Sequence, residues 1–139
     1  MNDYNIDNIS IGTHEEFKVT VKPEMMACFR DITGDENPLH CNPLFAKENG
    51  YKDVVAYGLL TNSFLSALCG MYLPGKKSLI QESRIKFPHP VYIGDELTVS
   101  GTVEEIHAAT HQIVLKVQIT NQDGKKVLRG NMRVGLING

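Results

Sequence analysis

Residues 58–73 read GLLTNSFLSALCGMYL, and this stretch decides the fold because nearly every side chain in it is apolar or small. The dipeptide Pro74-Gly75 is a typical helix terminator. A helix that is apolar on most of its faces belongs in the interior of a fold. At roughly 16 residues, and interrupted by a polar run at residues 61–63, it is too short to span a membrane comfortably. The stretch therefore predicts a buried central helix.

The sequence changes character after Gly75, where β-branched residues become frequent and largely alternate with polar ones. Such alternation, interrupted by turn residues, is typical of antiparallel strands that follow one another through short turns. The predicted strands are residues 78–87, 96–107, 111–121 and 126–137. Candidates for the inward face of the sheet, or for contact with a second chain, are Val99, Val103, Ile113, Leu115, Val117, Ile119, Val127 and Val134.

The first half of the chain predicts one strand and two short helices. Residues 14–21 alternate as a strand does, Pro23 opens a helix at residues 24–31, and a second helix at residues 43–49 ends at Gly50. Helices followed by a run of strands indicate an α+β fold. An antiparallel sheet curled around one long buried helix is the hot-dog architecture. Because a small sheet leaves an edge strand unpaired, we expect a homodimer or a higher homo-oligomer.

Composition excludes several classes of protein. The chain has 139 residues and 42% hydrophobic content, which suits a single domain over residues 1–139. Its net charge is −2 without a basic cluster in the sequence, so nucleic acid is not an expected partner. Residues 1–10 are polar and no long apolar run occurs, so we expect a cytoplasmic protein without a membrane partner. Three cysteines without C-x-x-C spacing predict neither a disulfide framework nor a zinc site.

A second stretch, ITGDENPLH at residues 32–40, carries the residue types of acid–base chemistry. It has the composition of a turn, because Gly34 accepts unusual dihedral angles and Pro38 fixes its own φ angle. The residue before a proline leaves the helical region, so one continuous helix through His40 is not expected. Loop curvature then lets Asp35 and His40 converge on one water molecule. The plainer alternative is that these polar residues only form a turn or cap the helix that follows.

The segment TGDENPLH at residues 33–40, together with Ala46, resembles the signature of the MaoC-like family of R-specific enoyl-CoA hydratases, which are hot-dog proteins. The resemblance continues through YGLL at residues 57–60, LPG at residues 73–75 and FxxPVxxGD at residues 87–95. It covers the chain from about residue 29 to residue 95.

The resemblance implies reversible addition of water to a trans-2-enoyl thioester of coenzyme A or of an acyl carrier protein, without a metal or organic cofactor. Asp35 would take a proton from water as it attacks C3, and His40 would hold the same water and help deliver a proton towards C2. The backbone N–H of Gly58 would stabilise the thioester oxyanion, although Gly58 could instead be a plain helix start. Asn37 is assigned to loop support.

Two further positions come from the same resemblance. Tyr57 stands where the family usually has histidine, and a phenol is neutral and bulkier, so loop geometry or acyl-chain access is expected to differ. Ser66 falls where the family has a serine near the catalytic pair. Its alternative is to face the packed interior and bond back along the helix, as helical serines commonly do.

Other chemistry-bearing residues have simpler interpretations. The thiol of Cys41 is expected to be packing rather than a nucleophile, because neighbours in an extended loop point in opposite directions. His107 and His111 have the spacing of a metal site only on a helix, and a strand turn is predicted between them. His89, between two prolines, and His14, on a strand, are expected at the surface.

Three functions fit these residues. The first is an R-specific hydratase or dehydratase, for which Asp35 with His40 is the discriminating feature. The second is an acyl-thioesterase, since hot-dog proteins also hydrolyse thioesters, and the third is a non-catalytic acyl-thioester binding module. Because a net charge of −2 provides no global attraction for phosphates, any coenzyme A contacts must come from local Lys or Arg residues.

Overall fold

Residues 1–138 are described by a computed structural model with four α-helices and five strands. A π-helical turn follows the fourth helix, and a 3₁₀ turn precedes the fourth strand. In chain order the elements are β1 (His14–Thr20), α1 (Pro23–Thr33), α2 (Pro38–Cys41), α3 (Pro43–Glu48), α4 (Gly58–Ala67), β2 (Ser78–Lys86), β3 (Glu96–His107), β4 (Gln112–Thr120) and β5 (Lys126–Leu136). The strands and helices predicted from the sequence are confirmed, with ends displaced by no more than a few residues.

All five strands form one antiparallel sheet in the order β1-β3-β4-β5-β2. The expectation that the last four strands follow one another through short turns is wrong for β2. This strand pairs with β5 at one edge of the sheet, whereas β3 pairs with β1 and β4. Residues 87–95 therefore connect β2, at one edge of the sheet, to β3, which lies next to the strand at the opposite edge. Pro88 and Pro90 lack backbone donors, which opposes a tight hairpin in this connection.

The core lies between the sheet and one side of α4 with its π-helical turn, Leu68–Tyr72. Leu65 and Leu68 are inaccessible to solvent, and Leu68 packs close to Gly101 of β3, where a Cβ atom would lie 3.1 Å from its Cδ2. The eight apolar positions expected on the inward face are all buried. The predicted sheet packed on a central helix is therefore confirmed.

The central helix is less buried than its composition suggests. The α-helical part ends at Ala67, and one face of the segment stays open to solvent, with Leu59 at 64% and Met71 at 47% exposure. The prediction of a helix buried on most faces is thus wrong for this side, because one sheet covers only one side of a helix. Within residues 1–138 no helix has the length and apolarity needed to cross a membrane.

Truncation of the helix core tests this packing. Leu65→Ala should lower the free energy of unfolding by about 2–5 kcal/mol, because it leaves a cavity against the sheet. Leu44→Ala, at a leucine of α3 that is 66% exposed, is the matched control and should change it by less than about 0.5 kcal/mol. Urea denaturation measures both. Equal losses in the two variants would contradict the assigned core.

Candidate active site

The end of α1 determines where Asp35 enters the site. Gly34 adopts φ +73°, a left-handed conformation that favours glycine, and its N–H donates to the carbonyl oxygen of Arg30 at 2.7 Å. The helix stops there and Asp35 follows in the connecting loop. One oxygen of its carboxylate accepts a hydrogen bond from the backbone N–H of Asn37 at 3.0 Å. The hydrogen bond of the plainer alternative, in which Asp35 only forms a turn, is therefore present. Among the described residues, this turn uses only Oδ1 of the Asp35 carboxylate.

Asn37 organises the next turn. Its backbone is extended, as expected before a proline, and its side-chain oxygen accepts the N–H of Leu39 at 3.0 Å. This cap starts the one-turn helix α2, which carries His40. The expected extended backbone at His40 and Cys41 is therefore wrong, since both residues are helical. The cap comes from the Asn-Pro pair, which supplies both a side-chain acceptor and a fixed φ angle.

His40 is oriented by a backbone carbonyl. Its Nδ1 lies 2.6 Å from the carbonyl oxygen of Val55, and a carbonyl oxygen can only accept a hydrogen bond. This contact assigns the ring proton to Nδ1. In the neutral imidazole Nε2 is then unprotonated, with a lone pair that can accept a proton or a hydrogen bond from water.

Tyr57 connects the two candidate catalytic residues. It is 2% exposed, its hydroxyl donates to the backbone carbonyl of Asp35 at 2.5 Å, and its ring stacks on the His40 imidazole with centroids 4.2 Å apart. It also packs against Phe29, with ring centroids 4.7 Å apart. Desolvation of the phenol, aided by its contact with Cys41, raises the pKa of Tyr57 to about 12. The hydroxyl is therefore a neutral donor at physiological pH.

Gly58 begins α4, directly after Tyr57. Among residues 1–138 no side chain caps this end of the helix, so the first backbone N–H groups of α4 have no side-chain acceptor there. Gly58 and His40 line one cavity of about 320 Å³. The positive end of the helix dipole and the imidazole therefore face the same space.

Other predicted site residues lie elsewhere. The Asp35 side chain is exposed and does not line this cavity; only the Asp35 backbone is held by Tyr57. Ser66 is exposed on the open face of α4, so the alternative that it faces the packed interior is wrong. The bond back along the helix is made instead by Ser63, whose hydroxyl donates to the carbonyl of Leu60 at 2.6 Å.

Several cavity residues were missed by sequence reasoning. Thr61 is buried, and it lines the cavity with Tyr51, Phe87 and His89. His89 is exposed, as expected, but its position in the cavity wall was not foreseen. The FxxPVxxGD pattern contains Phe87 and was the only available signal. Thr61 appeared merely as an interruption in an apolar helix.

Among residues 1–138 the remaining chemistry-bearing residues form no metal site. The Cys41 sulfur lies 3.8 Å from the Tyr57 hydroxyl and 3.8 Å from a guanidinium nitrogen of Arg30. The 3₁₀ turn Ala108–Thr110 separates His107 from His111, as the predicted strand turn required. Across residues 1–138 no group of three or more His, Cys, Asp or Glu side chains has an arrangement that could hold a metal ion.

Comparison with known proteins relates this geometry to a family. The family model described as "MaoC like domain" matches residues 8–125. An (R)-specific enoyl-CoA hydratase of Aeromonas caviae is 32% identical over 111 residues, which cover 80% of this chain and 83% of that protein. A second (R)-specific enoyl-CoA hydratase, from Rhodospirillum rubrum, is 29% identical to this chain, over 92% of this chain and 88% of that protein.

The fold of this chain is also similar to that of a solved (R)-hydratase structure. The (R)-hydratase from A. caviae involved in PHA biosynthesis superposes with a TM-score of 0.88 and 29% identity, over 93% of this chain and 98% of that one. The hot-dog fold expected from the sequence is confirmed by this superposition.

Replacing the bridging phenol tests its contribution. Tyr57→Phe should lower the free energy of unfolding by about 1 kcal/mol at neutral pH, because the Asp35 carbonyl loses its donor. An unfolded tyrosine ionises near its ordinary pKa of about 10, whereas folded Tyr57 keeps its proton to about pH 12. The wild type should therefore lose stability between these pH values more steeply than the variant does. Chemical denaturation at pH 7 to 12 measures both effects, and parallel profiles would contradict the assignment.

Proposed function

This chain belongs to the MaoC-like domain family, and we propose on that basis that it is an R-specific enoyl-CoA hydratase, a hydro-lyase that reversibly adds water to a trans-2-enoyl thioester. One observation carries the proposal. His40 and the uncapped start of α4 at Gly58 share a cavity, while Tyr57 binds the Asp35 backbone and stacks on His40. A water-holding group, His40, and an oxyanion donor, Gly58, are thereby available around one space, and the backbone of the proposed general base, Asp35, is tied to them through Tyr57.

In the proposed reaction, Asp35 and His40 act on one water molecule. The Asp35 carboxylate takes a proton from the water as the water oxygen bonds to C3 of the enoyl chain, and this proton is then delivered to C2 with the help of His40, which regenerates the carboxylate. The lone pair on Nε2 of His40 holds the same water by accepting a hydrogen bond. The net addition is OH at C3 and H at C2. The second carboxylate oxygen, Oδ2, is available for this step while Oδ1 maintains the turn with Asn37.

Stabilisation of the intermediate is assigned to Gly58. Attack at C3 moves negative charge onto the thioester oxygen, and the Gly58 N–H at the start of α4 is the donor for it. Asn37 supports the loop by capping α2, and Tyr57 aligns the loop with the imidazole. Ser66, which is exposed in the single chain, is assigned to the surroundings of the site in the assembled protein.

The setting of the enzyme is part of the same proposal. Residues 1–139 act as one MaoC-like domain on an acyl thioester of coenzyme A or of an acyl carrier protein, in fatty acid metabolism and in the cytoplasm. No metal or organic cofactor takes part, because the proposed steps need only proton transfer and hydrogen bonding. Nucleic acid and membrane are not partners in this proposal.

A homodimer is proposed from the open side of the molecule. The edge strand β2 is exposed along most of its length and carries Leu79 and Ile80, which are 52% and 41% exposed. The exposed face of α4 adds Leu59. On the same face, the side-chain oxygen of Asn62 is inaccessible to solvent and has no hydrogen-bond partner among the described residues. A second copy would cover the apolar residues and pair the strand edge.

The reaction is tested with crotonyl-CoA, by the loss of absorbance of the enoyl thioester. Asp35→Asn and His40→Ala should each lower kcat by about 10²-fold or more without unfolding the protein, because each removes a proton-transfer group. Asp31→Asn, at an exposed carboxylate of α1, is the matched control and should retain full activity.

The outcome separates the three candidate functions. Hydration that survives both substitutions would reject the catalytic pair. Release of free thiol from a saturated acyl-CoA would identify a thioesterase instead. Saturable binding without turnover of enoyl thioesters of any chain length would identify a binding module.

The dimer is tested by sedimentation equilibrium. Wild-type protein should have twice the mass of one chain, and Ile80→Lys should shift it towards the monomer because a charge is then buried at the paired edge. Ile11→Lys places the same charge at another exposed isoleucine and should leave the mass unchanged. A monomeric wild type would refute the proposed assembly.

A further inference from the structure

A groove of about 580 Å³ lies on the outer face of the sheet. Along β5, exposed Arg129 and Asn131 adjoin buried Leu128 and Met132, so side chains of the groove point away from the core. The strands β2, β4 and β5 form most of its walls. The groove is therefore distinct from the His40 cavity, with which it shares no lining residue.

Positive charge is concentrated in this groove. Five cationic side chains line it together with a single carboxylate, that of Glu104, in a chain whose net charge is −2. The cations are Arg84, Lys86, Lys116, Lys126 and Arg129. Within residues 1–138, only Arg84 among these five has a carboxylate at ion-pair distance, through its 2.7 Å contact with Glu82. The local field is thus strongly positive although the protein as a whole is acidic.

Strand register places two of these cations directly opposite each other. Lys86 of β2 pairs with Arg129 of β5, and Arg129 pairs on its other side with Gln118 of β4. Like charges directly opposite across a sheet are destabilising. An anion between them would remove the repulsion, and the amide of Gln118 could add a hydrogen bond. The arrangement suits a phosphorylated ligand.

The groove adjoins the catalytic cavity at one end of the sheet. Phe87 and Val127 line the cavity, and they directly follow Lys86 and Lys126, which line the groove. Cavity and groove are therefore lined by adjacent residues of the chain at this end of β2 and β5. His89, in the cavity wall, also lies with its Nδ1 3.0 Å from the carbonyl oxygen of Lys126. His89 thereby connects the cavity wall to the start of β5, which carries Lys126.

We propose that this groove binds the phosphate groups of the coenzyme A part of the substrate, with Lys86, Lys126 and Arg129 as the principal contacts. The inference rests on the proposed function. In coenzyme A a flexible pantetheine arm separates the thioester from a diphosphate and a 3′-phosphate, so the reacting carbons can occupy the cavity while the phosphates remain outside it. The compact groove, with amide side chains among its cations, favours this nucleotide over the extended acidic surface of a carrier protein.

The test compares substrates with and without the nucleotide. The double variant Lys86→Ala/Arg129→Ala should raise KM for crotonyl-CoA about tenfold at unchanged kcat. Each exposed charge-assisted contact contributes only modestly to substrate binding. KM for crotonyl-pantetheine, which lacks these phosphates, should not change. Added salt should raise the wild-type KM for crotonyl-CoA more steeply than that of the variant. The double variant Lys47→Ala/Lys76→Ala removes the same charge from exposed positions outside the groove and is the matched control.

A binding measurement separates this inference from the proposed function. Adenosine 3′,5′-bisphosphate, titrated by calorimetry, should bind wild type and the control but lose at least tenfold in affinity with the groove variant. If wild type binds this probe in that way and hydrates neither thioester, the proposed reaction fails and the groove assignment stands. If wild type hydrates crotonyl-CoA and the groove variant has the same KM, the groove assignment fails alone. A KM effect confined to an acyl-carrier-protein thioester would also overturn it.

Discussion

Burial of one side of α4 against the sheet is the interaction on which the remaining structure depends. Leu65, Leu68 and Leu73 are at most 1% exposed, and full burial of such a side chain contributes about 1.5–3 kcal/mol. This packing determines where the two ends of the helix lie. Its first residue, Gly58, lies beside His40, while the chain that leaves its far end enters β2 at the sheet edge. The cavity and the open edge are both consequences of one apolar contact.

Tyr57 is the link between this core and the candidate chemistry. It is buried with the core, yet its hydroxyl holds the Asp35 backbone and its ring supports His40. The loop that carries Asp35 has few other contacts, since its residues are exposed. A phenol in this position provides a hydrogen bond of fixed direction, with no charge to be desolvated at neutral pH. The departure from the family's usual histidine is thus also a source of order in the loop.

Much of the fold was predictable because its local signals agree with one another. The apolar run at residues 58–73, the alternating strands and the Gly34 turn were all visible in the sequence, and each formed where expected. Strand order was not predictable in the same way. Pairing of β2 with β5 depends on which strands the long connection at residues 87–95 allows to meet, and no side-chain pattern within β2 reports its partner. The solvent-exposed face of α4 was missed for a related reason, since composition does not reveal how much surface one sheet covers.

By itself the sequence determined the candidate residues: Asp35 and His40 lie in a segment whose turn chemistry is local, and Gly58 follows from the resemblance to the MaoC-like family. Only the tertiary structure decided which of them meet. It brought His40 and Gly58 to one cavity, joined Asp35 to them through Tyr57, left Ser66 exposed and added Thr61 and His89 to the cavity wall. It also gathered five cations into one groove, from the hairpin of β4 and β5 and from β2, which lies far from that hairpin in the chain. The physical reason is that contacts between distant segments follow from packing and strand register, which no local pattern of residues encodes.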